Sequence, residues 1–158
     1  MPFVISILGL IMSALAEPIQ VDLHLDTPTQ VLDRGLGLDA ETGLEAGLSQ
    51  LREGGTTVAV MVLWPPRKTE HVKRSHALLQ AMETEIARID DLSLVRSPAE
   101  ARAVVESGST AIIFSMEGAH GLGVGDWRAE LETFHRRGLS ALGITWSFSN
   151  RFAGSSGD

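Results

Sequence analysis

The chain has no cysteine. Disulfides, thiolate nucleophiles, cysteine-based zinc sites and a lipid-modified cysteine are therefore excluded, and the redox compartment stays open. Positive charge is also scarce. Thirteen Lys and Arg stand against 20 Asp and Glu, giving a net charge of −7 and a pI near 5.2. No basic patch stands out, which argues against nucleic acid as a partner. There is no Gly-x-Ser-x-Gly nucleophile elbow and no phosphate-binding loop. Gly121-Leu122-Gly123-Val124-Gly125 precedes a helix, but its spacing is wrong for a dinucleotide fingerprint. No fixed-period repeat or low-complexity tract is found.

What is present is ordinary globular composition. A length of 158 residues with 44% hydrophobic and 21% charged side chains suffices for one domain with its own core. Phe3 to Ala16 is apolar and uncharged, and Ala14-Leu15-Ala16 forms a small-x-small cleavage site before Glu17. Residues 1–16 read as a secretory signal peptide, with the terminal amine as the only positive charge, and imply export. The run is too short to span a bilayer comfortably, which takes about 20 residues. An uncleaved anchor and a buried first helix are the competing readings. Residues 17–158 are taken as the domain.

Strands and helices alternate along that domain. Val21–Leu25 is a first strand, and Thr29–Leu38 starts a helix that Gly35 and Gly37 weaken. The segment from Gly35 to Gly47 reads as a surface loop. Leu48–Arg52 is one helical turn closed by Gly54-Gly55. Thr56–Leu63 is β-branched and uncharged, a strand buried on both faces, ended by Trp64-Pro65-Pro66. Glu70–Asp90 is the clearest helix, with Val72, Leu79, Met82, Ile86 and Ile89 on one stripe and Ser75 completing it. Leu92–Val95 is a short strand or turn. Ser97-Pro98-Ala99-Glu100 is a capping box opening a helix to about Ser107. Thr110–Met116 reads as another doubly buried strand. Asp126 caps a helix through Arg137 with Leu131 and Phe134 inward, and Leu139–Trp146 is the last strand. This alternation predicts a parallel α/β sheet. A complete eightfold barrel takes about 250 residues, so roughly half of one is expected here.

The chemistry gathers at two strand ends. His24 and Asp26 are two residues apart, so in a strand they project to the same side. One nitrogen and one oxygen donor on a rigid edge can begin a metal site. Equally, Asp26 can cap the next turn and His24 can be a core histidine. Glu117 follows a buried strand at its C-terminal end and precedes Gly118, which lets the backbone approach a ligand. If the strands are parallel neighbours, Glu117 shares a rim with His24 and Asp26, and ligation becomes the better reading. His120 lies in a glycine-rich loop, either solvated or supporting the site from behind. His71, His76 and His135 lack the i, i+4 spacing of a helical zinc pair and read as solvated. Trp146 either walls a pocket or packs in a barrel, and Asn150 and Arg151 are loop polar residues within reach of a substrate.

Three stretches carry a resemblance to a known family. They are Val21-Asp22-Leu23-His24-Leu25-Asp26-Thr27-Pro28, Ser115-Met116-Glu117-Gly118-Ala119-His120, and Leu142-Gly143-Ile144-Thr145-Trp146 with Asn150. In order and spacing they resemble the membrane (renal) dipeptidase family of zinc metallopeptidases, and the Leu-Arg-x-Gly-Gly step within Gly47–Leu63 fits the same pattern. The resemblance implies a (β/α)8 barrel with two zinc ions at its C-terminal rim. His24 and Asp26 would hold the first ion and Glu117 would bridge both. It further implies hydrolysis of dipeptides, with Trp146 and Asn150 near the substrate and His120 behind the ligands. Many family members have a substrate-contacting histidine where this chain has Trp146. The family's two further zinc histidines come from later strands, beyond Asp158, so the chain is expected to be the N-terminal half of such an enzyme and inactive alone. A membrane surface and a second copy of the chain stand as candidate partners. Two rivals are another metal-dependent amidohydrolase on the same barrel and an inactive relic acting as a binding module. The amidohydrolase signature on the first strand is His-x-His, whereas this chain has His24-x-Asp26.

Overall fold

The structure, a computed structural model, describes residues 18–157. Residues 1–16, read from sequence as a signal peptide, lie outside the described residues. The sheet has five strands: β1 (Val21–Leu25), β2 (Val58–Leu63), β3 (Leu92–Leu94), β4 (Thr110–Glu117) and β5 (Leu139–Gly143). The helices are α1 (Thr27–Arg34), α2 (Leu48–Glu53), α3 (His71–Arg88), α4 (Pro98–Glu106) and α5 (Trp127–Arg136), with a 3-10 turn at Ala119–Leu122. Among the described residues no helix is long and apolar enough to cross a membrane.

Every strand pairing is parallel. β1 lies beside β2 and β2 beside β4, along the whole of β2. The far edge of β4 is shared. β3 pairs with its first residues, from Leu92↔Thr110 to Leu94↔Ile112. β5 pairs with its last, from Phe114↔Leu139 to Glu117↔Gly143. The order β1, β2, β4, β5 follows the chain, as in the first half of a (β/α)8 barrel.

One face of the sheet holds the main core. Ala59, Met61 and Leu63 of β2 and Ile112, Phe114 and Met116 of β4 point to it, as period-2 alternation requires. Val31 of α1, Leu78, Leu79 and Met82 of α3, and Phe134 of α5 pack against them. The opposite, inner face carries a second, smaller cluster at the N-terminal ends of the strands. There Ala101, Val104 and Val105 of α4 meet Val58, Ala111 and Ile113. Above them Ile19, Val21 and Ile113 line an apolar hollow of about 300 Å³. β4 is therefore not doubly buried as its composition suggests: Ile113, Ser115 and Glu117 are only half-buried.

Several local expectations need correction. The loop from Gly35 to Gly47 does not simply cross the surface. Leu38 and Leu44 are buried, and Glu85 carries a buried carboxylate on the core side of α3 that accepts the Leu38 N–H. Arg88 grips the same carboxylate and Asp39, so the loop is tied to the helix through Leu38 and Asp39. The stripe of α3 centres on Leu79 and Met82 as expected, but takes in Leu78 and Glu85 and leaves Val72 and Ile86 half-buried. The last strand stops at Gly143, so Trp146 stands beyond it. His76 is not solvated. Its Nε2 bonds Glu130 at 2.8 Å, Arg137 reaches its Nδ1 at 3.2 Å, and its ring stacks on Phe134. His71 is half-buried, edge-on to His120.

Candidate metal centre

The site forms where β1 and β4 end on the inner face. β1 reaches it through a register irregularity. Asp22 pairs with Ala59 and Leu25 with Met61, so Leu23 and His24 together face the single residue Val60. This is a β-bulge, a device that re-aims side chains beside functional sites. Regular pairing from Asp22 onward would set His24 opposite Met61 and turn its imidazole into the core. The bulge instead sends Leu25 into the core and leaves Leu23 exposed, so His24 and Asp26 project on the inner face. The Asp22 carboxylate accepts the His24 N–H at 3.1 Å and braces the bulge.

Asp26 stands at the N-cap of α1 but makes no capping bond with its side chain. The reason lies in the next residues. Pro28 has no N–H to offer, and the Thr29 N–H bonds the Asp26 carbonyl at 3.0 Å. The carboxylate is thereby left free. Glu117 is the last residue of β4, and Gly118, at φ 93°, turns the chain sharply after it. A side chain at Gly118 would meet the His120 ring at 2.3 Å.

These elements bring three donors together. His24 Nε2 lies 3.9 Å from Asp26 Oδ1 and 3.8 Å from Glu117 Oε2. One ligand atom from each residue falls within 4.8 Å of the others. Tetrahedral zinc at about 2.0–2.2 Å from its ligands sets them roughly 3.4 Å apart, so the three need close by only small side-chain rotations. Among the described residues no lysine or arginine forms an ion pair with either carboxylate. Burial raises the Glu117 pKa above the usual carboxylate range; nearby His24 opposes the rise and Asp26 adds to it. Two adjacent carboxylates and an imidazole without a balancing cation suit a divalent ion.

Other residues singled out from sequence fall around the rim. His120 is buried at 6% exposure, and its Nε2 lies 2.8 Å from the Pro65 carbonyl. Trp146 is partly exposed and packs against Trp64 with ring centroids 5.0 Å apart. Trp64 continues β2 past Leu63, whose partner is Met116, and so arrives level with Glu117. Its position directly after a buried strand was the signal that could have marked it. Asn150 is folded onto its own loop, donating to the Ile144 carbonyl at 2.6 Å and accepting the Phe152 N–H at 2.8 Å. Arg151 likewise donates to the Val124 carbonyl. His71, His76 and His135 are not part of the donor group.

A parallel α/β half-barrel with imidazole and carboxylate donors at the C-terminal edge of its strands defines a barrel protein of the metal-centre class. The chain belongs to the membrane dipeptidase family (peptidase family M19), whose model matches residues 11–158. It is similar to the solved structure of dipeptidase AC, a metallopeptidase of family M19, with 25% identity and a TM-score of 0.71. That match covers 83% of this chain and 44% of the other. A metallopeptidase from Rhodobacter sphaeroides, solved with a phosphinate mimic of the dipeptide L-Ala-D-Ala, is also 25% identical, with a TM-score of 0.67. There 83% of this chain and 46% of the other are covered. The probable dipeptidase PvdM from Pseudomonas aeruginosa shares the fold at a TM-score of 0.73 and 19% identity, over 86% of this chain and 36% of its own. The chain thus spans less than half the length of these relatives. No curated protein matches it.

Proposed function

We propose that this chain carries the first ligands of a zinc-dependent dipeptidase. The convergence of His24, Asp26 and Glu117 on one edge of a parallel sheet carries the reading. His24 offers an imidazole nitrogen, and Asp26 and Glu117 offer carboxylate oxygens whose charge would compensate a divalent cation. Zinc bound there would act as a Lewis acid toward the peptide carbonyl and make a water molecule acidic enough to attack it. Glu117, the least exposed of the three, would be the carboxylate shared between two ions. Trp146 and Asn150, in the loop after β5, are the residues this reading assigns to the substrate. The dipeptide mimic bound by the Rhodobacter sphaeroides relative supports a dipeptide as substrate. The 44% coverage of dipeptidase AC supports the view that the remaining ligands come from strands outside this chain. The apolar segment from Phe3 to Ala16 supports export.

The test is calorimetric titration of the purified chain with zinc, beside H24A and E117Q, together with an assay of L-Ala-D-Ala hydrolysis. Weak binding at one site, lost in both variants, with negligible hydrolysis, is the expected result. Tight binding of two zinc ions by the monomer would overturn the half-site reading. Zinc binding that ignores both substitutions would overturn the metal centre itself.

A further inference from the structure

Glu117 ends β4 and Trp64 follows the end of β2, and a histidine that is not one of the metal donors links the turns after them. His120 closes the turn that begins at Glu117, yet its hydrogen bond goes to the loop after β2. The Pro65 carbonyl can only accept, so the proton is on Nε2 and the ring donates it. That leaves Nδ1 as a bare acceptor, buried and without a hydrogen-bond partner among the described residues. Burial lowers the pKa of the ring and so favours its neutral form, while the bond to the Pro65 carbonyl selects the tautomer. The ring is clamped on two sides, by the edge of His71 at 4.8 Å and by Phe148 at 4.8 Å. It also lies against Gly118, where a β-carbon would have no room. The Ala119 N–H bonds the Ile144 carbonyl at 3.1 Å and ties the same turn to the chain after β5.

We propose that His120 is a positioning residue that latches the Trp64–Pro65 loop onto the Glu117–Gly118 turn, so that the donor carboxylate and the Trp64–Trp146 lip move as one rigid rim. Pro65 follows Trp64 directly, so a bond to its carbonyl fixes where the indole stands. The turn containing Gly118 fixes where Glu117 leaves β4. A buried histidine with an unsatisfied nitrogen is a poor choice for packing alone, since an apolar ring would fill the same space without an orphaned acceptor. What only a donor can provide is the bond across the two loops.

The functional part rests on the metal-centre reading; the structural part does not, and two readouts separate them. The first is cobalt(II) affinity of the full chain, followed by quenching of tryptophan fluorescence. The second is the circular-dichroism exciton couplet expected of the Trp64–Trp146 pair, assigned by its loss in W64F and in W146F. H120A and H120F should lose the couplet and bind cobalt about tenfold more weakly, while H120Q, whose amide N–H can reach the Pro65 carbonyl, stays within about twofold of the parent. If H120A fails to fold, the comparison of H120Q with H120F decides. Retention of couplet and affinity in H120F, or their equal loss in a folded H120Q, would overturn the latch. A parent chain that ignores cobalt while the couplet follows the H120F and H120Q pattern would sink the metal reading and uphold the latch.

Discussion

Three glycine-to-alanine substitutions separate backbone strain from crowding at the site. At Gly118 both act. Its φ of 93° is a conformation that L side chains rarely adopt, and an added methyl would lie 2.3 Å from the His120 ring. The strain is worth about 1–3 kcal/mol. Displacing His120 loses its bond to Pro65, about 1–1.5 kcal/mol more. G118A should therefore destabilise the chain by about 2–4.5 kcal/mol, which lowers the melting temperature by roughly 6–14 °C in a domain of this size. Gly35, at φ 63° with nothing within 4 Å, has the strain without the crowding, so G35A should cost about 1–2 kcal/mol. Gly125 has open space and no positive φ, and G125A should be neutral or stabilise by up to about 1 kcal/mol. Urea and thermal denaturation of the three variants with chelator present measure the series. Equal effects at positions 35 and 118 would refute the crowding of His120, and a G118A chain as stable as the parent would refute the geometry of the turn.

Three further outcomes are expected. E117Q should abolish metal binding yet leave the metal-free chain at least as stable as the parent at neutral pH. Burial raises the Glu117 pKa in the fold, so the folded state holds more protons than the unfolded one between the two values, and stability falls as pH rises through that window. Urea midpoints in chelator from acid to neutral pH check it, and a variant clearly weaker than the parent at neutral pH would contradict it. For His120 the sign is opposite. Burial, with a contribution from His71, lowers its pKa below the ordinary 6.5, so the unfolded state takes the proton first and stability is lost as pH falls below about 6.5; the pH profile of the H120Q melting temperature should lack that part of the acid loss. E85A should cost about 2–4 kcal/mol, because the buried Leu38 N–H loses its acceptor and Arg88 loses one of two carboxylate partners, and it should release the 35–47 loop to proteolysis.

Much of the architecture was legible because it is written in local patterns. The β-branched run from Val58 to Leu63 is buried at every residue. The Ser97 hydroxyl accepts the Glu100 N–H as the capping box predicts, although the Glu100 carboxylate reaches back to the Arg96 N–H instead of that of Ser97. Asp126 likewise caps α5 through the Ala129 N–H. The parallel order followed from alternation, and the donor trio from two strand ends with a His-x-Asp and a Glu-Gly step. The misses are of another kind. Glu85 was hidden because a carboxylate on a core stripe is buried only if a distant N–H comes to meet it, and the partner is 47 residues away. His76 was hidden for the same reason, since Glu130 comes from α5 and Arg137 from the residue that ends it.

The sequence by itself marked most of the strands and helices and the strand-end residues that meet as a candidate donor group, since periodicity, caps and strand-end chemistry are properties of neighbours in the chain. Tertiary structure alone decided how those residues are aimed. It set the bulge that turns His24 to the inner face, the division of one edge of β4 between β3 and β5, and the burial of His120 beneath the rim. Each depends on register and packing between segments tens of residues apart, and pairing of that kind is fixed by the fit of whole faces rather than by any local signal.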